Sequence, residues 1–334
     1  MVTSHDVARL AGVSQPTVSR ALRDSPKVSE ETKERVRQAA RTLGYVISET
    51  GRALASGRSR RVGLLVTDLE NQFYPYAISA MHRQLESMDY QLILHTESSD
   101  GERIAERLFA HSLDGVLLAT TTSDSSLPLR LKDRGVPFVY FNRTAASVEA
   151  DSTTADAVNG LGELARAVLD QGHRRVAAIF GPRNTSTGEE REEALRAALE
   201  LEGVTVPVAL TRRGAFDVQT GYRGMGELLA LRERPTVVVC SNDVVALGAL
   251  NAAHELGVRV PEDVSVVGFD DLPPARWPMF SLTTVGFDLA AMARAAARLL
   301  IERVEGGETA GPFRHEVFPT SLVLRRTLGP VPTP

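Results

Sequence analysis

The 334-residue chain has a single cysteine, Cys240, so no disulfide framework is possible and a reducing compartment fits. No apolar run approaches the roughly 18 residues that a membrane-spanning helix needs. Its first residues lack an apolar stretch behind a basic start, so a secretory leader is not expected and a cytoplasmic location is. Catalytic signatures are scarce as well. "GPRNTSTG" has two glycines but no following lysine, so it is not a phosphate-binding loop. No G-x-G-x-x-G follows a strand pattern in the body, and there is no G-x-S-x-G elbow. The seven histidines are scattered without i, i+4 pairs or cysteine neighbours, so neither a metal nor a cofactor is expected. Cys240 ends an apolar stretch and reads as a small buried hydrophobe.

What the chain does have is a lopsided charge. The formal net charge is −4, yet residues 1–61 carry +6 and the remainder −10. A small basic head on a large acidic body suggests a polyanionic partner for the head, the alternative being a basic solvated face with no partner.

The head reads as three short helices. Thr3-Ser4-His5-Asp6 is a capping box, with Asp6 placed to reach back to the Thr3 amide. Val7, Leu10 and Ala11 then mark an apolar stripe. Gly12-Val13-Ser14 is a tight turn in which Gly12 can take positive φ and Ser14 can cap the next helix. Pro16 lies in that helix's first turn, where its missing N–H costs nothing, and Val18, Ala21 and Leu22 face inward. A third helix begins at Ser29-Glu30-Glu31 and ends near Gly44, with Val36, Ala39, Ala40 and Leu43 inside. Two helices joined by a short glycine turn form a helix-turn-helix, whose second helix enters the major groove of DNA. Its exposed positions are Gln15, Pro16, Ser19 and Arg20. Arg pairs with guanine, Gln with adenine, and Pro16 offers an apolar surface to a thymine methyl. Thr17, Ser19 and Arg23 are placed to hold phosphates. The bland alternative is a small helical bundle that merely packs.

After Tyr45, "VISETGRALASGRSRR" has little apolar periodicity and reads as a mobile linker. From Val62 continuous V/I/L/A strands alternate with helical stretches, which predicts parallel sheets covered on both faces. Two such series, 62–141 and roughly 175–270, predict two similar lobes. The tail "GPVPTP" reads as disordered.

"DVARLAGVSQPTVSRAL…VSEETKERVRQAARTLGY" resembles the DNA-binding head of the LacI family of bacterial transcription repressors, and "GFDD", "TTV" and "SLVLRR" extend the resemblance to nearly the whole chain. The resemblance implies an all-α helix-turn-helix head (1–46), a hinge linker (47–61), and an α/β body of two doubly wound parallel-sheet lobes of periplasmic-binding-protein type. The first lobe would hold 62–155 and 286–313, the second 156–285 and 314–330. It implies that Leu54 wedges into the operator's minor groove, with Thr3 and Ser14 joining the DNA-contacting set. Ile47-Ser48 and Gly51 depart from the family's usual hinge, and a glycine there costs about 1 kcal/mol of helix propensity.

In the body, a ligand would lie between the lobes, at strand ends. By position the candidates are Phe73, Tyr74, Asn142, Arg143, Arg191, Phe216, Asn242 and Asp270. Aromatic faces with Arg, Asn and Asp suit a polyhydroxylated ligand, a sugar or sugar derivative, with nucleosides and other small polar molecules as alternatives. Read without the family, Phe73 and Tyr74 are equally plain core aromatics, Asp270-Asp271 a turn cap, and Asn242-Asp243 a helix N-cap. Ala194 and Phe287 depart from common family residues. The function implied is a metabolite-controlled repressor that binds a pseudo-palindromic double-stranded DNA operator as a homodimer, with no membrane and no enzymatic step. A plain solute-binding protein, or a sugar-acting enzyme carrying a DNA-binding head, is the alternative.

Overall fold

Three short helices, α1 (Ser4–Ala11), α2 (Gln15–Leu22) and α3 (Glu30–Leu43), build the first of two units in this computed structural model, Met1–Ser59, followed by Arg60–Pro334. The structure describes residues 2–22, 24–45, 58–67, 69–96, 105–106, 108, 112–307 and 311–332. Most of the expected hinge, with Leu54, and the expected phosphate contact Arg23 therefore lie outside the described residues.

The head's core is small: Val7, Val18, Ala21 and Val36 are fully buried, with Ala8, Ala11, Ala39 and Ala40 around them. Leu10, expected to face inward, is 54% exposed. Residues 7, 8 and 11 share one face of α1, and Leu10 falls about a quarter-turn outside it. The Asp6 carboxylate accepts from the Thr3 amide at 3.0 Å and the Thr3 hydroxyl at 2.8 Å. Gly12 takes φ +66°, where a side chain would be strained, and so ends α1 sharply. Ser29 caps α3 by accepting from the Thr32 amide, and Gly44 ends it at φ +61°.

The body contains two six-stranded sheets. The first runs β11 (His315–Phe318), β5 (Asp151–Ala155), β4 (Phe138–Phe141), β3 (Gly115–Leu118), β1 (Arg61–Leu65), β2 (Gln91–His95), all parallel. The second runs β12 (Ser321–Val323), β10 (Thr283–Gly286), β9 (Ser265–Asp270), β8 (Val237–Cys240), β6 (Val176–Phe180), β7 (Thr211–Arg213). Its edge strand β12 pairs antiparallel with β10, so this sheet is not purely parallel as expected. Helices α4 (Phe73–Ser87) and α10 (Leu289–Gly306) pack against one face of the first sheet, and α5 (Leu127–Asp133) against the other. In the second lobe, α6 (Ala157–Asp170) and α7 (Ser186–Glu200) cover one side, and α8 (Val218–Leu229) and α9 (Asp243–Glu255) build a separate core.

The chain passes between lobes after β5, after β10 and after β11. The first two crossings follow Ala155 and Gly286. The third lies between Phe318 and Ser321, several residues past the expected boundary at 313/314, because His315–Phe318 extends the first sheet beside β5. Strand β5 itself, "DSTTA", is too polar to stand out in sequence. Asp151 is fully buried because Arg303 grips it with two nitrogens at 2.8 and 3.0 Å while the Arg314 amide donates at 2.8 Å. The tail is also tied down over its described part, contrary to expectation. The Gly329 amide donates to Ser265 Oγ, the Gly329 carbonyl meets His173 Nε2 at 3.0 Å, and the Val331 amide donates to the Gln171 carbonyl.

Candidate functional sites in the head and the body

In the head, Pro16 and Arg20 project from α2 into solvent, while Gln15, Thr17 and Ser19 are half-buried. Gln15 Nε2 donates to Ser4 Oγ at 3.3 Å, and the Ser14 and Thr17 hydroxyls pair at 2.8 Å across the start of the helix. Among the described residues, the outward face of α2 is thus a polar surface with the Arg20 guanidinium in its last turn. A contribution the sequence did not advertise sits beneath it. Lys33 is almost fully buried and bonds Asp24 at 3.0 Å and Glu30 at 2.6 Å, while Arg37 also grips Asp24 at 2.9 Å. These bonds fix the turn after α2 against α3. Only the i, i+3 pair Glu30/Lys33 is visible as a spacing; the bond to Asp24 needs the fold.

In the body all eight candidate side chains line one cavity between the lobes, joined by Asn71 and Thr187, which sequence reasoning missed. The lobes meet closely around it: its free volume is about 10 Å³, room for about one water. Asn71 Nδ2 donates to the Phe216 carbonyl at 2.8 Å across the gap, and Asn71 Oδ1 accepts from the Phe73 amide at 3.0 Å. The Ser123 amide donates to the Asn184 carbonyl, and the Thr144 amide to Ser186 Oγ.

Arg191, on α7, is the organising charge. Its guanidinium donates to Asp270 Oδ1 at 2.9 Å and the Ser241 carbonyl at 2.8 Å, and it lies 3.9 Å from the centroid of the Phe269 ring. Burial pushes the Asp270 carboxyl up to about 6 against the opposing pull of Arg191. The neighbouring Asp243 carboxyl is fully buried and also held well above the usual carboxylate range, by burial and then by the nearby Asp270 charge. Its two oxygens take bonds from the Thr284 hydroxyl and the Leu272 amide. Arg143 lies over the Phe216 ring at 5.2 Å. Phe216 in turn sits on Gly181, where an added Cβ would fall 2.3 Å from its ring. Asn142 (φ +66°) and Asp270 (φ +114°) hold backbone conformations unfavourable to non-glycine residues, a strain that concentrates at functional sites.

The plainer readings hold alongside. Asn242 Oδ1 accepts from the Val245 amide at 2.9 Å, so it is the N-cap of α9 while also bordering the cavity. Phe73 and Tyr74 pack edge-to-face at 5.4 Å within the first-lobe core. Cys240 is buried, with its thiol pushed up by burial. Asn142 Oδ1, Arg143 Nε and Thr187 Oγ1 are buried without a hydrogen-bond partner in the protein. Unsatisfied polar atoms of this kind are costly, and three around one cavity make it a site for a polar guest. Among the described residues no cluster of three or more His, Cys, Asp or Glu could hold a metal.

Residues 3–48 match the family "Bacterial regulatory proteins, lacI family", and residues 165–328 match the "Periplasmic binding protein-like domain". The HTH-type transcriptional regulator CelR of Thermobifida fusca is 35% identical over 330 residues, covering 96% of each chain. The chain belongs to the LacI family. The HTH-type transcriptional repressor PurR of Pectobacterium carotovorum subsp. carotovorum is 33% identical over 337 residues, covering 99% of this chain and 98% of its own. Among solved structures, the transcriptional regulator CelR–cellobiose complex superposes with a TM-score of 0.74 at 32% identity, covering 98% of this chain and 100% of that one. The Lac repressor dimer bound to operator and the anti-inducer ONPF shares the fold with a TM-score of 0.86 at 24% identity, covering 98% of each. As a LacI-family member this chain is a DNA-binding transcription regulator: a helix-turn-helix head with an α/β sensor body.

Proposed function

We propose that this LacI-family regulator is a repressor that binds a pseudo-palindromic operator as a homodimer, and that its interlobe cavity takes a small carbohydrate effector which alters operator affinity. Arg20 reads a guanine, Gln15 an adenine and Pro16 a thymine methyl, while Thr3, Ser14, Thr17, Ser19 and Arg23 hold phosphates and Leu54 wedges into the minor groove. Two heads related by a two-fold axis double the short sequence that one can read. The observation that carries the effector reading is the trio of partnerless polar atoms, Asn142 Oδ1, Arg143 Nε and Thr187 Oγ1, beside the Phe216 ring and the Arg191–Asp270 pair. Hydroxyls of a sugar satisfy those atoms, and the aromatic face takes its apolar C–H surface.

With about 10 Å³ free, the cavity admits a sugar only when the lobes part or Phe216 swings aside. Effector binding and lobe geometry are therefore linked, and that linkage is the means of control. The CelR relative is solved with cellobiose, which places cellobiose first among the probes. The chain acts by binding alone, in the cytoplasm, and the bound sugar is recovered unchanged.

The test is a thermal-shift screen of sugars, sugar phosphates and nucleosides, followed by operator binding with and without each hit. A ligand at about 100 times its Kd stabilises the fold by about 2.7 kcal/mol, a visible rise in midpoint. A hit that leaves operator affinity unchanged, or that the protein converts to another compound, sinks the reading.

A further inference from the structure

A second cavity, of about 660 Å³, opens between the lobes on other walls. From the first lobe, Tyr76, Ser79 and Arg83 of α4 line it; from the second, Asp271 and Arg276; and the interlobe crossings contribute Phe287, Asp288 and Pro319. Asp270 is its only residue in common with the cavity described above. This volume lies within the range of small-molecule sites, whereas the first cavity is almost filled by protein.

The charges around it do not cancel. Asp271 is shared by two guanidiniums, Arg276 at 2.8 Å and Arg325 at 2.5 Å. Asp270 is engaged by Arg191, and Asp288 caps α10 by accepting from the Ala291 amide at 2.8 Å. Arg83 donates to the Ser79 hydroxyl at 2.7 Å and, among the described residues, meets no carboxylate. Only when Arg191 and Arg325, which reach these carboxylates from outside the lining, are counted do four guanidiniums face the three carboxylates Asp270, Asp271 and Asp288, a surplus of one. An exposed guanidinium stands on each lobe, Arg83 and the Asp271-paired Arg276, beside the apolar faces of Tyr76 and Phe287.

We propose that this cavity is a second small-molecule site, separate from the effector cavity, that takes a phosphate-bearing ring compound. Its phosphate lies between Arg83 and Arg276, and its ring lies on Tyr76 and Phe287. Guanidiniums fork onto phosphate oxygens with matching geometry and gain strength from the partner's charge. An anion held from both lobes ties them together, so this site favours the closely apposed arrangement that the first cavity's guest has to disturb. The inference does not require the effector to be a sugar.

Isothermal titration of the full chain with ribose 5-phosphate, and with ribose as the uncharged control, tests it. The phosphate ester binds and ribose at the same concentration does not. Arg83→Gln and Arg276→Gln each weaken binding tenfold or more, Arg83→Lys recovers most of it, and Arg143→Gln in the first cavity leaves it within about twofold. Ala290→Trp, which puts an indole into the second cavity without removing a charge, abolishes the binding. No binding of ribose 5-phosphate to the unaltered chain overturns the proposal. So does binding that survives Ala290→Trp, or that falls with Arg143→Gln while Arg83→Gln and Arg276→Gln leave it intact, since the anion then sits in the first cavity.

Discussion

The head and the interlobe cavity solve recognition in opposite ways. In the head, the residues meant to meet a partner sit outside a core of a few small side chains, and Arg20 and Pro16 stand in solvent. In the body, Arg191, Asp270, Asn142 and Asn242 are all less than about a tenth exposed and hold the protein together as well as bordering the site. DNA is large and comes to a surface, so its readers need only a rigid helix. A small polar molecule has to be surrounded, so its readers become part of the interior and serve two purposes.

The most severe test of that contrast is Arg191→Ala. Removing one member of a buried ion pair leaves Asp270 without its partner, and the expected cost is about 3–5 kcal/mol in a denaturation curve. A loss of ligand response with stability unchanged would make the site separable from the core and break the contrast.

The next test uses pH. The Asp270 carboxyl holds its proton up to about pH 6 in the folded chain and to about 3.8 when unfolded. Between those values the folded state binds the extra proton, so this group makes stability fall as pH rises through the window. Two units at 1.36 kcal/mol each amount to about 3 kcal/mol, and Asp270→Asn flattens that part of the stability-versus-pH profile. An unchanged slope between pH 4 and 6 would assign the effect elsewhere.

Arg20→Ala is expected to act the other way round. Fold stability stays within about 0.5 kcal/mol, because the side chain projects from the core. Operator binding loses about 1–3 kcal/mol together with preference at one base pair, read by titrating operator variants at fixed salt. A uniform loss on all sequences would make Arg20 a phosphate contact. Smallest is Ser29→Ala, which removes the cap of α3 and lowers the head's stability by about 1 kcal/mol with base preference intact.

Local chemistry made the head legible. A capping box, a glycine turn and a 3.6-residue stripe each act over a few residues, and the helices begin and end where those signals lie. Leu10 stands outside because the face α1 buries is rotated toward Ala8, and an i, i+3, i+4 stripe does not say to which side of Val7 and Ala11 the face extends. The body's apolar strands were legible for the same reason, since a buried parallel strand writes itself as a run of V, I, L and A. Strands β5, β7, β10, β11 and β12 were not, because each is short or polar and owes its place to a partner far away. Asp151 is tolerated only because Arg303 folds onto it. Asn71 and Thr187 went unnoticed because nothing in their neighbourhood distinguishes them; one matters through a carbonyl 145 residues away and the other through an orphaned hydroxyl.

The sequence by itself determined the helix boundaries, the βα alternation, the charge division between head and body, and, through motif resemblance, eight of the ten residues that line the interlobe cavity. All of these depend on neighbours in the chain or on patterns the chain repeats. The tertiary structure alone decided how tightly the lobes meet, which polar atoms are left without partners, where the third crossing falls, and that a second and larger cavity exists between two arginines. Those depend on which groups remain uncompensated once the chain has folded, a balance of burial and pairing that no stretch of sequence contains.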